Sequence, residues 1–335
     1  MAPALKPLLA LTVGDVAGVG PEVVAGALAD PRVHQACRPL VVGDAGVLAR
    51  WCPVRRVEDP EAAVFEPATA DVLQPGDDLG PVTPGRLSAL AGDAAVRYVR
   101  TAATLAGDGR VAAIVTAPLN KEAMHLAGHR WPGHTELLAD HFGVDRFSLV
   151  LTAGELSFYH VTTHVALREA CAMVTEERVG AVIDLAHRFG SAFGVARPSI
   201  AVLGLNPHAG EGGVFGSEDA DAIAPAVASA RARGIDASGP LPADAAVPAA
   251  IAGRYRSVVA MYHDQGHVVF KSVFGDRGVN VTVGLPVVRT SVDHGTAFDI
   301  AGQGVARPDS MVEAILLAAT LAPVWASITR PAPAP

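Results

Sequence analysis

Three histidines occupy equivalent places in the sequence, each just after an apolar, strand-like run. The runs are residues 156–163 before His164, 199–207 before His208 and 257–262 before His263. In open α/β sheets ligands bind outside the carboxyl ends of the strands, so three imidazoles carried there can converge on one point. Three neutral nitrogens with further open positions suit a catalytic divalent metal. The sequence therefore predicts that these histidines bind one divalent cation.

Taken singly, each of these histidines is better explained as an ordinary surface or core residue, because the chain has 12 histidines. Their surroundings favour a chemical role. The segments 206–213 (Asn-Pro-His-Ala-Gly-Glu-Gly-Gly) and 262–267 (Tyr-His-Asp-Gln-Gly-His) are dense in polar groups and glycine directly after apolar runs. A purely structural turn does not require that composition.

Strand-like runs alternate with alanine-rich helical stretches along the chain. Strands are predicted at 8–13, 40–43, 112–116, 200–205 and 258–261, a hairpin at 147–152 and 156–162, and helices from Pro21 and over 88–106, 175–189 and 219–233. This rhythm predicts an α/β protein with a largely parallel, doubly wound sheet and some antiparallel pairing. The segment 53–84, rich in Pro, Asp and Gly, is predicted to be an irregular connection.

Length and composition narrow the class of protein. A chain of 335 residues predicts two domains, and the lack of a flexible linker predicts a discontinuous division. The formal net charge of -8 disfavours nucleic-acid or acidic-membrane binding. No apolar stretch is long enough to span a bilayer, and three scattered cysteines fit a reducing cytoplasm. The Pro-Ala tail, 330–335, is predicted not to pack.

Two glycine-containing segments bear on nucleotide binding. The turn 14–22 (Gly-Asp-Val-Ala-Gly-Val-Gly-Pro-Glu) lacks the Rossmann spacing and by itself is best explained as a tight strand-to-helix turn. The late segment 294–308 begins His-Gly-Thr-Ala-Phe-Asp-Ile-Ala-Gly and resembles the nicotinamide-nucleotide loop of isocitrate and isopropylmalate dehydrogenases, whose early glycine turn the first segment also resembles. The resemblance implies dinucleotide binding by His294, Gly295, Thr296 and Asp299.

The chain as a whole, from about Leu11 to about Ile315, resembles the 4-hydroxythreonine-4-phosphate dehydrogenase family and its D-erythronate and D-threonate 4-phosphate dehydrogenase paralogues. The motifs that carry the resemblance are 14–22, 116–121 (Thr-Ala-Pro-Leu-Asn-Lys), 132–136 (Pro-Gly-His-Thr-Glu), 163–164, 206–211, 239–244, 262–266, Asn280 and 289–295.

The resemblance implies a fold of two α/β domains with mostly parallel sheets, like that of isocitrate and isopropylmalate dehydrogenases, with the active site in the interdomain cleft. We expect a nucleotide-side domain at 1–125 with 286–335, and a metal and dimerisation domain at 126–285. The resemblance also implies a homodimer in which both subunits contribute to each active site.

The implied activity is oxidation of the C3 hydroxyl of a 4-phosphorylated acid by NAD or NADP, followed by decarboxylation. One divalent ion (Zn, Co, Ni, Mn or Mg) would be bound by His164, His208 and His263. The implied substrate-binding residues are His134, Thr135, Lys271, Asn280 and Arg289. Lys271 and Arg289 would give an acidic protein local positive charge for a phosphate ester. Asp244 and Lys271 are the candidate catalytic residues, and either Asp244 or Asp264 could instead be the carboxylate that orients a histidine.

One departure from the family pattern bears on the substrate. His267 stands where the biosynthetic enzymes, the 4-hydroxythreonine-4-phosphate dehydrogenases of the pyridoxal phosphate pathway, usually have Leu. In this position the chain resembles the erythronate and threonate branch. This histidine could bind a C2 hydroxyl of the substrate, or it could be a structural residue. The branch that oxidises aromatic cis-dihydrodiols is disfavoured, because the Gly-His-Thr and Arg-Thr-Ser motifs are intact. Two other hypotheses are a phosphate acyltransferase-like enzyme and a non-catalytic sensor on the same fold.

Overall fold

A computed structural model describes residues 6–192 and 198–329 of the chain. Its strands are β1 (Leu8–Thr12), β2 (Arg38–Val42), β3 (Val54–Val57), β4 (Ala70–Leu73), β5 (Ala113–Thr116), β6 (Ser148–Ala153), β7 (Leu156–His160), β8 (Ile200–Leu203), β9 (Ala237–Leu241), β10 (Ser257–Ala260), β11 (Val279–Val283) and β12 (Val288–Ser291). Its helices are α1 (Gly20–Ala29), α2 (Pro31–Ala36), α3 (Ala45–Leu48), α4 (Ala89–Gly107), α5 (Lys121–Leu126), α6 (His134–Phe142), α7 (Leu167–Met173), α8 (Glu176–Ala192), α9 (Ala224–Ala232), α10 (Ala243–Ile251), α11 (His263–Phe274), α12 (Asp309–Leu321) and α13 (Trp325–Thr329).

The first compact unit is built on Met1–Val144 and Leu285–Trp325. Its strands pair in parallel in the order β3-β4-β2-β1-β5-β12. The central strands are buried along almost their whole length, which explains their near-continuous apolar sequences. Helix α4 packs against β1 and β5, and α12 packs against β12. Helices therefore cover these strands and bury them in the core of the unit.

The second unit is built on Asp145–Gly284. Its strands follow the order β11-β6-β7-β10-β8-β9. Strand β6 is antiparallel to both of its neighbours, whereas β7, β10, β8 and β9 are parallel to one another. Part of its core forms around Phe158 of β7 and Phe270 of α11, whose rings meet edge to face at 5.9 Å. This contact holds α11, which begins at His263, against the strand that precedes His164.

The predicted α/β class with largely parallel sheets is confirmed, and the hairpin predicted at 147–162 is the antiparallel pair β6 and β7. The prediction for 53–84 is wrong, because that segment contains β3 and β4. Arg55 obscured the strand pattern, and in the structure its guanidinium pairs with the buried carboxylate of Asp71 at 3.1 Å. Strand β9 was also missed, since its Gly-Pro sequence is tolerated only at a sheet edge.

The two units divide after Val144, whereas the sequence placed its boundary after residue 125. Helix α6 packs on α4, so residues 126–144 belong with the first unit. The roles assigned to the two domains stay predictions, and the prediction for the tail 330–335 lies outside the described residues. Among the residues that the model describes, no helix combines the length and apolar character needed to cross a bilayer.

A pair of helical glycines gives a test of the packing of α4. A Cβ added to Gly92 would overlap the backbone carbonyl of Ala123 on α5, whereas one added to Gly180 of α8 meets nothing within 4 Å. Alanine normally favours a helix over glycine by about 1 kcal/mol. We expect Gly180→Ala to raise the melting temperature and Gly92→Ala to lower it. In Gly92→Ala, overpacking should reduce the free energy of unfolding by about 1–3 kcal/mol. Thermal unfolding of both variants checks this, and stabilisation by Gly92→Ala would contradict the close α4–α5 approach.

Candidate functional site

Four neighbouring parallel strands of the second unit are each followed by a predicted site residue. In the order β7, β10, β8 and β9, these are His164, His263, His208 and Asp244. Parallel strands present their carboxyl ends at one edge of the sheet, so the four segments share that edge. The placement inferred from three separate apolar runs thus corresponds to adjacent strands in the fold.

The histidine rings are only partly assembled. The rings of His164 and His263 lie 5.7 Å apart, centroid to centroid, whereas the ring of His208 lies 6.2 Å from that of Phe215. Within residues 6–192 and 198–329, no group of three histidine, cysteine or acidic side chains is arranged to hold a metal ion. The structure therefore brings together two of the predicted ligands and presents the third on a neighbouring loop.

The loop that carries His208 has an unusual backbone. His208, Ala209 and Glu211 have φ angles of 54°, 55° and 42°, in the left-handed region that non-glycine residues rarely adopt. Asp219, which is 2% exposed, accepts hydrogen bonds from the backbone N–H groups of Leu205 and Asn206 at 2.9 and 3.1 Å, and so fixes the start of the loop. Sustained left-handed backbone outside glycine costs free energy and is concentrated at functional sites.

The donor chemistry of this edge fits a divalent metal. The Nδ1 atom of His263 lies 2.7 Å from Oδ1 of Asp264, an arrangement in which the ring donates to the carboxylate and Nε2 keeps its lone pair for a metal. Sequence reasoning missed the role of Gln265, whose Oε1 accepts from the Met261 N–H at 2.7 Å and whose Nε2 donates to the Gly204 carbonyl at 2.8 Å. It thereby ties the start of α11 to the end of β8.

Helix α11 presents His263, His267 and Lys271 at intervals of four residues, which places the three on one face. His263 is half-buried, His267 is buried and Lys271 is exposed. Asp244 is also exposed, in the first turn of α10. The two candidate catalytic residues therefore lie on elements that begin at the same sheet edge.

A buried histidine pair lies behind His263, and the sequence indicated only one of its members. Nε2 of His160, at the end of β7, lies 3.1 Å from Nδ1 of His267. Burial lowers the pKa of His160 from 6.5 to about 4, and burial, followed by the proximity of His160 and His263, lowers the pKa of His267 to about 2. Both rings are therefore neutral near neutral pH. A histidine that ends an otherwise apolar strand was the signal for His160.

A second group of predicted residues meets in the first unit. Arg289 of β12 is 2% exposed, and its Nη2 donates to Oγ1 of Thr116 at 2.8 Å while Nη1 lies 3.5 Å from Oγ1 of Thr135. Burial lowers the pKa of Arg289 to about 10, partly offset by the Glu136 carboxylate, so the guanidinium stays charged at neutral pH.

His134, the first residue of α6, lies near this guanidinium. Burial, followed by the positive charges of Arg289 and Lys121, holds its pKa well below 6.5. Its Nε2 is buried and has no hydrogen-bond partner among the described residues. In the second unit, Oδ1 of Asn280 is likewise buried without a partner in the described part of the chain. Each of these atoms can bind a polar ligand group.

The early glycine turn and the late loop are in contact within the first unit. The Val19 N–H donates to the Thr296 carbonyl at 3.0 Å, and the buried Glu22 carboxylate accepts from the backbone N–H groups of Gly302 and Gly304 at 2.6 and 3.0 Å. His294, Gly295 and Asp299 are exposed on this loop, whereas Thr296 is 9% exposed. Glu22 was not predicted as part of this arrangement.

Comparison with known proteins adds a family to this geometry. Residues 35–318 match the model of the family described as pyridoxal phosphate biosynthetic protein PdxA. A D-threonate 4-phosphate dehydrogenase from Bordetella bronchiseptica is 58% identical over 332 residues, which cover 96% of this chain and 95% of that protein. A 4-hydroxythreonine-4-phosphate dehydrogenase from Geobacter metallireducens is 47% identical over 334 residues, 97% of this chain and 98% of its own.

A solved structure agrees with these sequence matches. The crystal structure of a 4-hydroxythreonine-4-phosphate dehydrogenase from Klebsiella pneumoniae is 45% identical and superposes with a TM-score of 0.85, covering 96% of this chain and 99% of its own. All three proteins are dehydrogenases, and this chain is an enzyme of that kind. Because the similarity extends over nearly the full length and includes the fold, the chain belongs to the family of the pyridoxal phosphate biosynthetic protein PdxA.

Proposed function

We propose that this enzyme oxidises the C3 hydroxyl of a 4-phosphorylated hydroxy acid, D-threonate 4-phosphate or the related D-erythronate 4-phosphate, with NAD or NADP, a divalent metal and loss of carbon dioxide. The observation that carries the proposal is the placement of His164, His263 and His208 after three adjacent parallel strands. That edge can gather three neutral nitrogens around one cation, as metal-assisted chemistry at a hydroxyl requires.

The histidines His164, His208 and His263 would hold the metal, and Asp264 would orient His263 through its Nδ1. When bound, the cation supplies electrostatic stabilisation of negative charge on the substrate oxygen during oxidation and decarboxylation. Lys271 lies two turns from His263 on the same face of α11, so we assign it to proton transfer at the C3 oxygen. Asp244, at the end of the neighbouring strand β9, is the second candidate for that proton.

The phosphate group would be bound by the cluster around Arg289. A guanidinium that stays charged while 2% exposed provides a strong, directed contact for a phosphate oxygen. Thr135 offers a hydroxyl, and His134 offers a buried Nε2 that the protein leaves without a hydrogen bond in the described residues. Asn280 would contribute its amide to the substrate.

The dinucleotide would lie along the late loop, where His294, Gly295 and Asp299 are exposed and Thr296 is anchored on the early turn. Glu22 keeps the backbone of 302–304 in place, which gives the loop a defined shape before the cofactor binds. The oxidised cofactor would accept the hydride from C3 of the substrate.

His267 supports the threonate branch over the biosynthetic one. The substrates differ at C2, where 4-hydroxythreonine 4-phosphate carries an amino group and the threonate and erythronate esters carry a hydroxyl. A cationic ammonium favours a carboxylate or carbonyl, whereas a hydroxyl is satisfied by a neutral imidazole. Burial keeps His267 neutral, and the relative with 58% identity is a D-threonate 4-phosphate dehydrogenase.

We also propose that the active enzyme is a homodimer with shared sites. Large apolar side chains are exposed in the segments that follow the three proposed ligands along the chain: Val165, Leu167 and Met173 after His164, Val214 and Phe215 after His208, and Val268 and Val273 on α11. Exposed apolar groups of this kind, set beside polar functional residues, are typical of protein interfaces. A second copy covering them would also complete the site around the cation.

Substrate choice can be measured directly. We expect the enzyme to reduce NAD or NADP with D-threonate or D-erythronate 4-phosphate, because His267 offers a neutral partner for the C2 hydroxyl. Absorbance of the reduced nicotinamide, recorded side by side with 4-hydroxythreonine 4-phosphate, checks this. Turnover of 4-hydroxythreonine 4-phosphate alone would refute the branch assignment and leave the dehydrogenase class intact.

The phosphate assignment predicts the kinetics of Arg289→Lys. Lysine keeps the charge but loses the planar pair of donors, so KM for the phosphorylated substrate should rise about tenfold to a hundredfold. The Kd of the reduced nicotinamide cofactor, followed by its fluorescence, should stay unchanged. Arg178→Lys is the matched control, since this half-buried arginine donates to the Val161 carbonyl in the second unit. Equal losses of substrate and cofactor affinity would show that Arg289 does not bind the phosphate.

The dimer is tested with two leucines of equal exposure. Leu167, 59% exposed, begins α7 shortly after His164 in the sequence, and Leu126, 60% exposed, ends α5 in the first unit. We expect Leu167→Asp to lower both the dimer fraction in sedimentation and the activity, because a carboxylate would be buried at the contact. Leu126→Asp should change neither. A fully active monomer would overturn the shared-site proposal.

A further inference from the structure

We propose that His160 and His267 are positioning residues: as a buried, hydrogen-bonded pair they fix the ring of His263 in the orientation that metal binding requires. This inference rests on the metal site put forward under "Proposed function". It concerns two side chains that are not themselves assigned as metal ligands, and it gives His267 a second role besides the contact with the C2 hydroxyl put forward under "Proposed function".

The pair is anchored to the backbone of the sheet. Nδ1 of His160 lies 3.1 Å from the carbonyl oxygen of Leu149 on the neighbouring strand β6. A carbonyl oxygen can only accept, so this nitrogen carries the proton of the neutral ring. His160 is fully buried, and its own backbone N–H donates to Oγ of Ser148. The imidazole of His160 is thus fixed in position and in tautomer by the β6–β7 pairing.

The tautomer of His267 follows from that of His160. With its proton on Nδ1, the neutral ring of His160 presents Nε2 as an acceptor, and this atom lies 3.1 Å from Nδ1 of His267. Nδ1 of His267 must therefore be the donor, which leaves its Nε2 without a proton. The direction of donation runs from His267 to His160 and from His160 to Leu149.

His267 restricts the orientation of the His263 ring by stacking against it. The two rings are 3.7 Å apart and within 11° of parallel, one helical turn apart on α11. Rotation of the His263 ring would break this face-to-face contact as well as its hydrogen bond to Asp264.

Gly266 shows how closely the pair is built into the helix. A Cβ at this position would overlap Nε2 of His160, so any side chain larger than hydrogen would displace the ring that anchors His267. A leucine at 267 could fill the same volume, but it could neither donate to His160 nor stack flat on His263. The arrangement is therefore specific to an aromatic ring that has a hydrogen-bond donor.

The first test measures metal binding by chelator-treated full-length protein, with cobalt(II) as the probe. For wild type we expect a defined dissociation constant and visible ligand-field spectrum. His267→Leu should weaken cobalt binding by roughly tenfold to a hundredfold and shift the spectrum, as loss of groups that orient a ligand does. His267→Phe, which keeps a flat ring, should lose less affinity than His267→Leu. His187→Leu, on α8 and outside the proposed sites, is the control and should bind cobalt as wild type does.

The pair itself is tested by a double-mutant cycle. His160→Leu should weaken cobalt binding about as much as His267→Leu, and the double variant should lose no more than either alone, because both act through one chain of contacts. Lower melting temperatures with unchanged cobalt affinity and spectra would mean a merely structural role and would overturn the inference. Absence of cobalt binding by the wild type would instead overturn the metal site under "Proposed function", and the inference with it.

The second test is independent of the metal. Nitrogen-15 NMR of histidine-labelled, metal-free protein distinguishes a protonated from an unprotonated ring nitrogen. We expect both His160 and His267 to carry their protons on Nδ1, with His160→Leu used to assign the signals. A proton on Nε2 of His160 would reverse the donation between the rings and refute the arrangement.

Discussion

The parallel alignment of β7, β10 and β8 is the constraint on which the candidate metal site depends. Backbone hydrogen bonds between parallel strands fix their common direction, and their carboxyl ends then share one edge of the sheet. Strand pairing brings the three segments together there, although they are far apart along the chain. The core around Phe158 and Phe270 keeps α11 against this sheet, so that His263 begins the helix at the same edge.

Strand direction alone does not position a side chain. The loops beyond the strands are held by polar side chains that form hydrogen bonds within the unit. Gln265 links the start of α11 to the end of β8, and Asp219 binds two backbone N–H groups ahead of the left-handed turn at His208. Such contacts compensate for backbone conformations that would otherwise be unfavourable, and they explain how a strained loop persists.

The first unit buries a positive charge. Removing a guanidinium from water is costly unless its donors are satisfied. Arg289 donates to the Thr116 hydroxyl and lies near Thr135, while Glu136 partly compensates the charge. The same positive charge helps to keep His134 neutral, so a cation and an uncharged imidazole stand side by side. This combination suits an anionic ligand, because the buried guanidinium offers a strong positive charge and the imidazole offers an uncharged hydrogen-bonding group.

The sequence by itself determined the α/β class, the family, the strands β1, β2, β5, β6, β7, β8 and β10, and the helices α1, α4, α8 and α9, because apolar periodicity and ordered polar motifs are local properties of the chain. It also located His164, His208 and His263 after strands. It did not reveal β3 and β4, where Arg55 interrupts the apolar pattern yet pairs with Asp71. Only the tertiary structure showed that the strands before the three histidines are neighbours, that Glu22 holds the late loop, and that His160 lies behind His267. These relations join residues up to 282 positions apart, and such distances are decided by strand pairing and packing rather than by any local pattern.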